Sequence, residues 1–518
     1  MTPITEIPIL AVKTQEDEPA VSVLGRQARL AVLWNAGLTL FRDLLQFVVM
    51  VVLVRLLAPK AYGQFGMVTT ITGFLNVLSF GNFLAYTLQV RRDEDVHYQD
   101  HFTAGAFIQF CIFLIANVIA FALRFLPAYA EVAPLVHIMS LVFLLDWPSE
   151  LRIRMLERAL DWRRRRLLQA MGMLIGAVAA VALAAMGAGA YALIVQGLLA
   201  SVPFIFDLFL IQRWRPTWTW SAKNYASACH FGGTRMMSGL AGTGRQLMES
   251  GVLVQLIGFA KFGIYGRAIG IAQIFCFRFA YLLTQAVYPV LTKIEPGTHA
   301  YSRASALLLR TVGWIVVPLG VLFAVLADPL VKDVYGQKWL EAIPLLPWAM
   351  AGGVAASICS TAYQLLLGNQ QARRCFFSDL WILIGTGLSL FAFAPKGVVS
   401  YLIAMTVIQV TALVMLLGWL YADRAITVPG IVSAIIWPAV AALSAFAICE
   451  VTLRWRGIVK VETFYTAVAY GIGFGFVYLA VLRLLFGSQL AELIQYFPGS
   501  RRLSSLLMLR SINNPGAA

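Results

Sequence analysis

The chain has 518 residues, is 60% hydrophobic and only 13% charged, with a mean hydropathy of +0.78. A water-soluble protein of this length carries about twice that charged fraction, so a soluble globular fold is excluded. The formal charge of +15 does not imply nucleic acid as a partner, because membrane proteins concentrate Lys and Arg in cytoplasmic loops.

Residues 1–30 are polar and acidic and lack a basic start followed by an apolar core. They read as a cytoplasmic segment rather than a cleaved signal peptide. Apolar runs then recur from residue 31 to residue 486. About 20 such residues cross a bilayer as a helix, because hydrocarbon offers backbone polar groups no other partner. Fourteen spans are predicted, at 31–56, 64–89, 102–124, 132–151, 167–186, 190–212, 226–256, 264–290, 304–327, 340–367, 375–394, 397–421, 428–452 and 463–486. The runs are long and continuous rather than alternating over about 10 residues, which excludes a β-barrel.

The sequence therefore predicts an all-α polytopic membrane protein. An N-lobe occupies 31–212, a cytoplasmic linker 213–225 and a C-lobe 226–421, with two further spans in 428–486 and a cytoplasmic tail at 487–518. With the N-terminus inside, the inner loops hold seventeen Lys and Arg from Arg91 to Arg424. The outer loops hold eight, among them Lys60, Lys261, Lys332 and Lys338. That asymmetry predicts both termini cytoplasmic.

The lobes share a signature. VVLVRLLAPKAYGQFG at 51–66 returns as GVLVQLIGFAKFGIYG at 251–266. Val52, Leu53, Val54, Leu56, Gly63 and Gly66 recur 200 residues later. Tyr62 and Phe65 return with the aromatics exchanged, as Phe262 and Tyr265. A weaker echo pairs Gly187 and Tyr191 with Gly397 and Tyr401, 210 residues apart. Six spans lie in each period, so the copies have the same orientation, one of the known transporter plans.

Charged side chains at mid-bilayer cost about 2.5–3.5 kcal/mol on insertion scales, so each needs a partner or a wet cavity. In span one, Asn35, Thr39, Arg42 and Gln46 fall on one helical face. In span seven, Arg235, Ser238, Gly242, Arg245 and Glu249 do the same. In span eight, Arg267 and Arg278 are eleven residues apart and Gln285 follows one heptad later, which returns a regular helix to nearly the same face. The arginines are read as the lining of a cationic cavity, with Asn35, Thr39, Gln46, Ser238 and Gln285 as its polar wall. Asp43, Glu249 and Asp207 are candidates for ion coupling. Arg245 and Glu249 are also i, i+4 neighbours that could satisfy each other.

The six cysteines lie within or at the ends of apolar runs, and neither disulfides nor a metal site is expected. His97 and His101 lack a third ligand or the glutamate of a zinc-hydrolase motif. No phosphate-cradling glycine loop is present, so ATP is not an evident energy source; no cofactor is expected. The tail around Arg501, Arg502 and Arg510 has spacing compatible with a helix on anionic lipid.

VLVRLLAPKAYGQFG, RMLERALDWRRRRLLQ, GAGAYALIVQGLL and GRQLMESGVLVQLIGFAKFGIYGRAIGIAQIF resemble the Wzx-like flippases, the polysaccharide-exporter branch of the multidrug/oligosaccharidyl-lipid/polysaccharide (MOP) superfamily. Glu249 stands where that family commonly places Asp, and Val254 where a glycine is usual. The resemblance covers about residues 31–420. It implies a substrate: an oligosaccharide joined through pyrophosphate to a polyprenol, moved from the inner to the outer leaflet of the cell inner membrane. It also implies membrane lipid, a polysaccharide polymerase and glycosyltransferases as partners. Arginine suits such a load, because its planar fork makes paired charge-assisted hydrogen bonds to oxyanions. A cation-coupled small-molecule exporter of the same superfamily is the alternative. A membrane polymerase or ligase would need a larger outer loop carrying paired acids, arginines or histidines.

Overall fold

The computed structural model describes residues 45–88, 90, 96–291, 294–455, 461 and 463–494. Among these the chain is all helical. Asn35, Thr39, Arg42 and Asp43 lie outside the described residues, as do segment 1–30 and the tail from 495. Large apolar side chains such as Phe107, Phe121, Leu388, Phe391 and Phe476 stand exposed on the helix surfaces. A surface of that kind is stable against hydrocarbon and not against water.

The helices are α1 (Leu45–Leu56), α2 (Pro59–Asn76), α3 (Phe80–Leu84), α4 (Tyr98–Leu123), α5 (Ala133–Met139), α6 (Leu141–Arg158), α7 (Trp162–Ala185), α8 (Ala190–Ala200) and α9 (Val202–Phe206). They continue with α10 (Ala222–Ala272), α11 (Arg278–Leu291), α12 (His299–Val325), the short α13 (Ala327–Pro329), α14 (Leu346–Gly368), α15 (Ala372–Ala392), α16 (Val398–Ala422), α17 (Val428–Trp455) and α18 (Phe464–Ile494).

Eleven of the described helical segments are long and apolar enough to cross a membrane, or twelve if the pair Pro59–Asn76 and Phe80–Leu88, bent by 45°, is one span. The expected count of fourteen is not reproduced, and the difference falls at identifiable places. The first span is described only from Leu45. Spans seven and eight form one run, Gly242–Gln285, although its backbone breaks at Gly258, with φ +76° and ψ 167°.

The repeat is visible in the backbone. The helix break at Gly258 corresponds to Ala58, the extended residue before Pro59 at the start of α2, 200 positions earlier. Left-handed residues recur as well: Leu160 and Gln370 precede α7 and α15, and Arg213 and Arg424 follow the sixth and twelfth predicted spans. Gly189 caps α8 and Gly397 caps α16, both at positive φ. By this capping the weaker echo is 208 residues apart rather than 210.

Ion pairs follow the same plan at the bundle end opposite the 58 and 258 breaks. Arg164 at the start of α7 pairs with Asp207, and Arg374 at the start of α15 pairs with Asp423 after α16 at 2.6 Å. The end carrying the breaks is called face A here, and the opposite end face B.

The last two helices dock on α12. Trp314 Nε1 donates to the Ser433 carbonyl at 2.7 Å, and Tyr478 donates to the Trp314 carbonyl at 2.9 Å. A Cβ on Gly313 would lie 1.8 Å from the Ala434 carbonyl oxygen, so only glycine lets α12 and α17 approach this closely. Arg310 completes the joint, donating to Ser433 Oγ and pairing with Glu492 at 2.8 Å.

Candidate functional site: the broken helix between the lobes

The centre of the fold is α10, which packs along α2 and also meets α14, α15 and α16. Its first limb carries the stripe read from the sequence. Arg245 pairs with Glu249 at 3.4 Å, as the i, i+4 spacing allows. The other carboxylate oxygen of Glu249 accepts from the Tyr265 hydroxyl at 2.6 Å. Tyr265 stands beyond the Gly258 break, so one carboxylate ties the two limbs of α10 together.

The neighbouring residues turn the other way. Ser250 Oγ and Thr70 Oγ1 of α2 are 3.3 Å apart and buried. The Gly251 carbonyl accepts from Tyr129 at 2.8 Å. Residues 249–251 therefore bind their own lobe at the first position and the N-lobe at the next two. Behind Tyr265, the ring of the fully buried Tyr401 lies 6.0 Å away, at the start of α16. Asp379 of α15 accepts from Tyr363 of α14 at 3.0 Å.

The other sequence-chosen residues are spread around this centre. Arg267 lies over the Tyr62 ring of α2 at 4.4 Å, a cation–π contact that joins the lobes near face A. Between Arg267 and Arg278 the chain makes a π turn, Gln273–Phe277. Each inserted residue rotates the following side chains by about 100°, so the eleven-residue spacing does not return to the same face. Arg267 is half-buried, while Arg278 is exposed at the start of α11. Gln285 is exposed and donates to Tyr281 at 2.6 Å, and Gln46 is exposed on α1. Arg235 and Ser238 lie on the first limb of α10, with side chains outside the described set.

Asp207 is far from this centre. It is 1% exposed, and one oxygen accepts from Arg152 Nε at 2.5 Å while the other accepts from Arg164 at 2.7 Å. Two guanidinium partners make it the counter-charge that lets Arg152 remain buried.

Sequence reading gave no site role to Tyr62, Tyr265, Tyr363 or Tyr401, although Tyr62, Tyr265 and Tyr401 stand in the repeat. A signal existed for two of them. The aromatic exchange in the repeat puts a hydroxyl at 62 in the first copy and at 265 in the second, the positions where Arg267 and Glu249 wait.

This architecture is the fold of MOP-superfamily transporters. The lipid II flippase MurJ, in its inward closed conformation, superimposes with a TM-score of 0.68 at 12% identity, covering 89% of this chain and all of that one. An inward-facing multidrug resistance transporter of the MATE family gives a TM-score of 0.55 at 14% identity, over 74% of this chain and 94% of that one. The chain belongs to the polysaccharide biosynthesis protein family, whose model matches residues 52–344. The succinoglycan biosynthesis transport protein ExoT of Rhizobium meliloti is 26% identical over 69% of this chain and 70% of its own length. The lipopolysaccharide biosynthesis protein WzxC of Escherichia coli K12 is 23% identical over 65% of this chain and 69% of its own. The chain is a multi-pass membrane protein of this polysaccharide branch, in agreement with the Wzx-like resemblance.

Proposed function

We propose that the protein is a flippase that carries a polyprenyl-pyrophosphate-linked oligosaccharide across the cell inner membrane by alternating access of its two lobes. The observation that carries the reading is the placement of Arg245, held by Glu249, on a broken helix at the seam between the lobes. An arginine there can take an anionic head group when the carboxylate releases it. Glu249 can exchange its arginine partner for a proton or cation, which would couple the seam to an ion gradient. The transport and lipopolysaccharide names of the family relatives support the substrate class. Face A is assigned to the outside and both termini to the cytoplasm, on the asymmetry of Lys and Arg between the loops. Arg42, Arg235, Arg267 and Arg278 are proposed as further cationic contacts along the path. Polymerase and glycosyltransferase partners would act after and before this step.

The test is Arg245→Ala in a strain that depends on this protein for surface polysaccharide. Loss of polysaccharide with near-normal protein abundance is expected. Wild-type polysaccharide from the variant would remove the cationic-cavity part of the reading.

A further inference from the structure

One cluster of cations plays no part in the path just described. At face A, α1 ends at Leu56, and the connection between α12 and α14 folds over that end. The two border an open recess of about 280 Å³ lined by Arg55, Lys332, Tyr335, Gly336, Gln337 and Lys338. At about 30 Å³ per water in the liquid, that space corresponds to roughly nine waters, so a phosphate or pyrophosphate group fits. Among the described residues no acidic side chain lines it.

The charges there are only partly answered. Lys332 pairs with Asp328 at 2.9 Å. Arg55 reaches the main-chain carbonyls of Asp333 and Val334, and Lys338 lies 3.4 Å from the Leu56 carbonyl. Among the described residues neither Arg55 nor Lys338 has a carboxylate partner. The nearby Asp333 carboxylate makes no ion pair with them and accepts instead from the Phe464 backbone N–H at the start of α18. Burial pushes the Tyr335 phenol above its ordinary value, so its hydroxyl keeps its proton.

These cations also stand against the expected topology. Cytoplasmic loops attract Lys and Arg and outer loops avoid them, yet three converge on one outer recess. Below it, Val48, Val52 and Leu56 are all exposed. They share one face of α1 with Arg55, by their spacing of four and by the three residues from Val52 to Arg55. A basic recess above an apolar stripe has the chemistry of a lipid site: head group in the recess, chain along the helix.

We propose that Arg55, Lys332 and Lys338 form a binding site for the phosphate group of a lipid whose chain lies along Val48, Val52 and Leu56. The phosphate belongs either to an anionic phospholipid or to the pyrophosphate of the transported lipid on its exit. The leaflet rests on the orientation proposed above; the phosphate chemistry does not.

The experiment is native mass spectrometry of the purified full-length protein, titrated separately with phosphatidylglycerol, a polyprenyl pyrophosphate and phosphatidylcholine. Wild type should retain one phosphatidylglycerol or one polyprenyl pyrophosphate more tightly than phosphatidylcholine. The double variant Lys332→Gln, Lys338→Gln should lose at least about tenfold in affinity for whichever is held. Asp328→Asn, which removes one carboxylate partner of Lys332, should tighten retention. Loss confined to phosphatidylglycerol assigns a resident phospholipid, loss confined to polyprenyl pyrophosphate assigns the exiting substrate, and loss in both arms assigns a general lipid-phosphate site. Equal affinity in wild type and both variants overturns the site. Because binding is read without transport, failure here is separate from failure of the flippase reading.

Discussion

Gly63 and Gly263, 200 residues apart in the chain, face each other across the lobe interface. A Cβ on Gly63 would lie 1.8 Å from the Phe259 carbonyl oxygen and 3.0 Å from the nitrogen of Gly263. One on Gly263 would lie 2.0 Å from the Pro59 carbonyl oxygen and 2.8 Å from the nitrogen of Gly63. Position 59 answers 259 and 63 answers 263, so the contact is self-complementary, like the interface of a two-fold dimer. The sequence repeat thus marks the seam where its two copies meet backbone to backbone.

That seam gives a direct expectation. Gly63→Ala should destabilise the packed state by about 1–3 kcal/mol, because backbone cannot yield as a flexible side chain would. Gly73→Ala, on the same helix with nothing within 4 Å of its Cβ, should be neutral or stabilising. The readout is labelling of a cysteine placed at Gln64 by a membrane-impermeant thiol reagent. Labelling should rise with Gly63→Ala and stay unchanged with Gly73→Ala; no difference between them would show that the seam does not close face A.

Asp207, paired with both Arg152 and Arg164, should behave as a structural carboxylate. Asp207→Asn leaves Arg152, whose side chain is 5% exposed, without its counter-charge. Breaking a buried pair in this way costs about 3–5 kcal/mol. Protein abundance and Tm should fall, and pairing Asp207→Leu with Arg152→Met should restore most of both. A stable Asp207→Asn protein that fails only in transport would assign the residue to ion coupling instead.

Glu249 and Tyr265 should behave as one unit. Removing the hydroxyl by Tyr265→Phe, or the charge by Glu249→Gln, breaks the same charge-assisted bond, of a kind worth about 1.5–3 kcal/mol. The two losses in a double-mutant cycle should therefore be non-additive, with a coupling of about 0.5–3 kcal/mol in thermal stability. Additive losses would show that the bond does not hold the limbs of α10 together.

The sequence carried most of the architecture, because hydrocarbon accepts only continuous apolar helices and the chain shows them openly. Periodicity also placed Arg245 beside Glu249, since both lie on one unbroken turn. It failed where the helix is irregular. The π turn at Gln273–Phe277 depends on hydrogen bonds that no residue type announces, so the alignment of Arg267 with Arg278 expected from their spacing does not hold. The partners of Asp207 were hidden for a different reason: Arg152 and Arg164 are 55 and 43 positions away, and spacing informs only within a helix. The partners of Tyr62 and Tyr265 were half-visible, as an exchange of aromatics with no stated cause.

The central claim is tested most directly by lipid analysis of a deletion strain, with the leaflet of any accumulated polyprenol-linked saccharide determined by a membrane-impermeant reagent. The account expects such a lipid on the cytoplasmic face together with loss of surface polysaccharide. Accumulation on the outer face would contradict it and point to a polymerase or ligase. Drug sensitivity with normal surface polysaccharide would contradict it in favour of a small-molecule exporter.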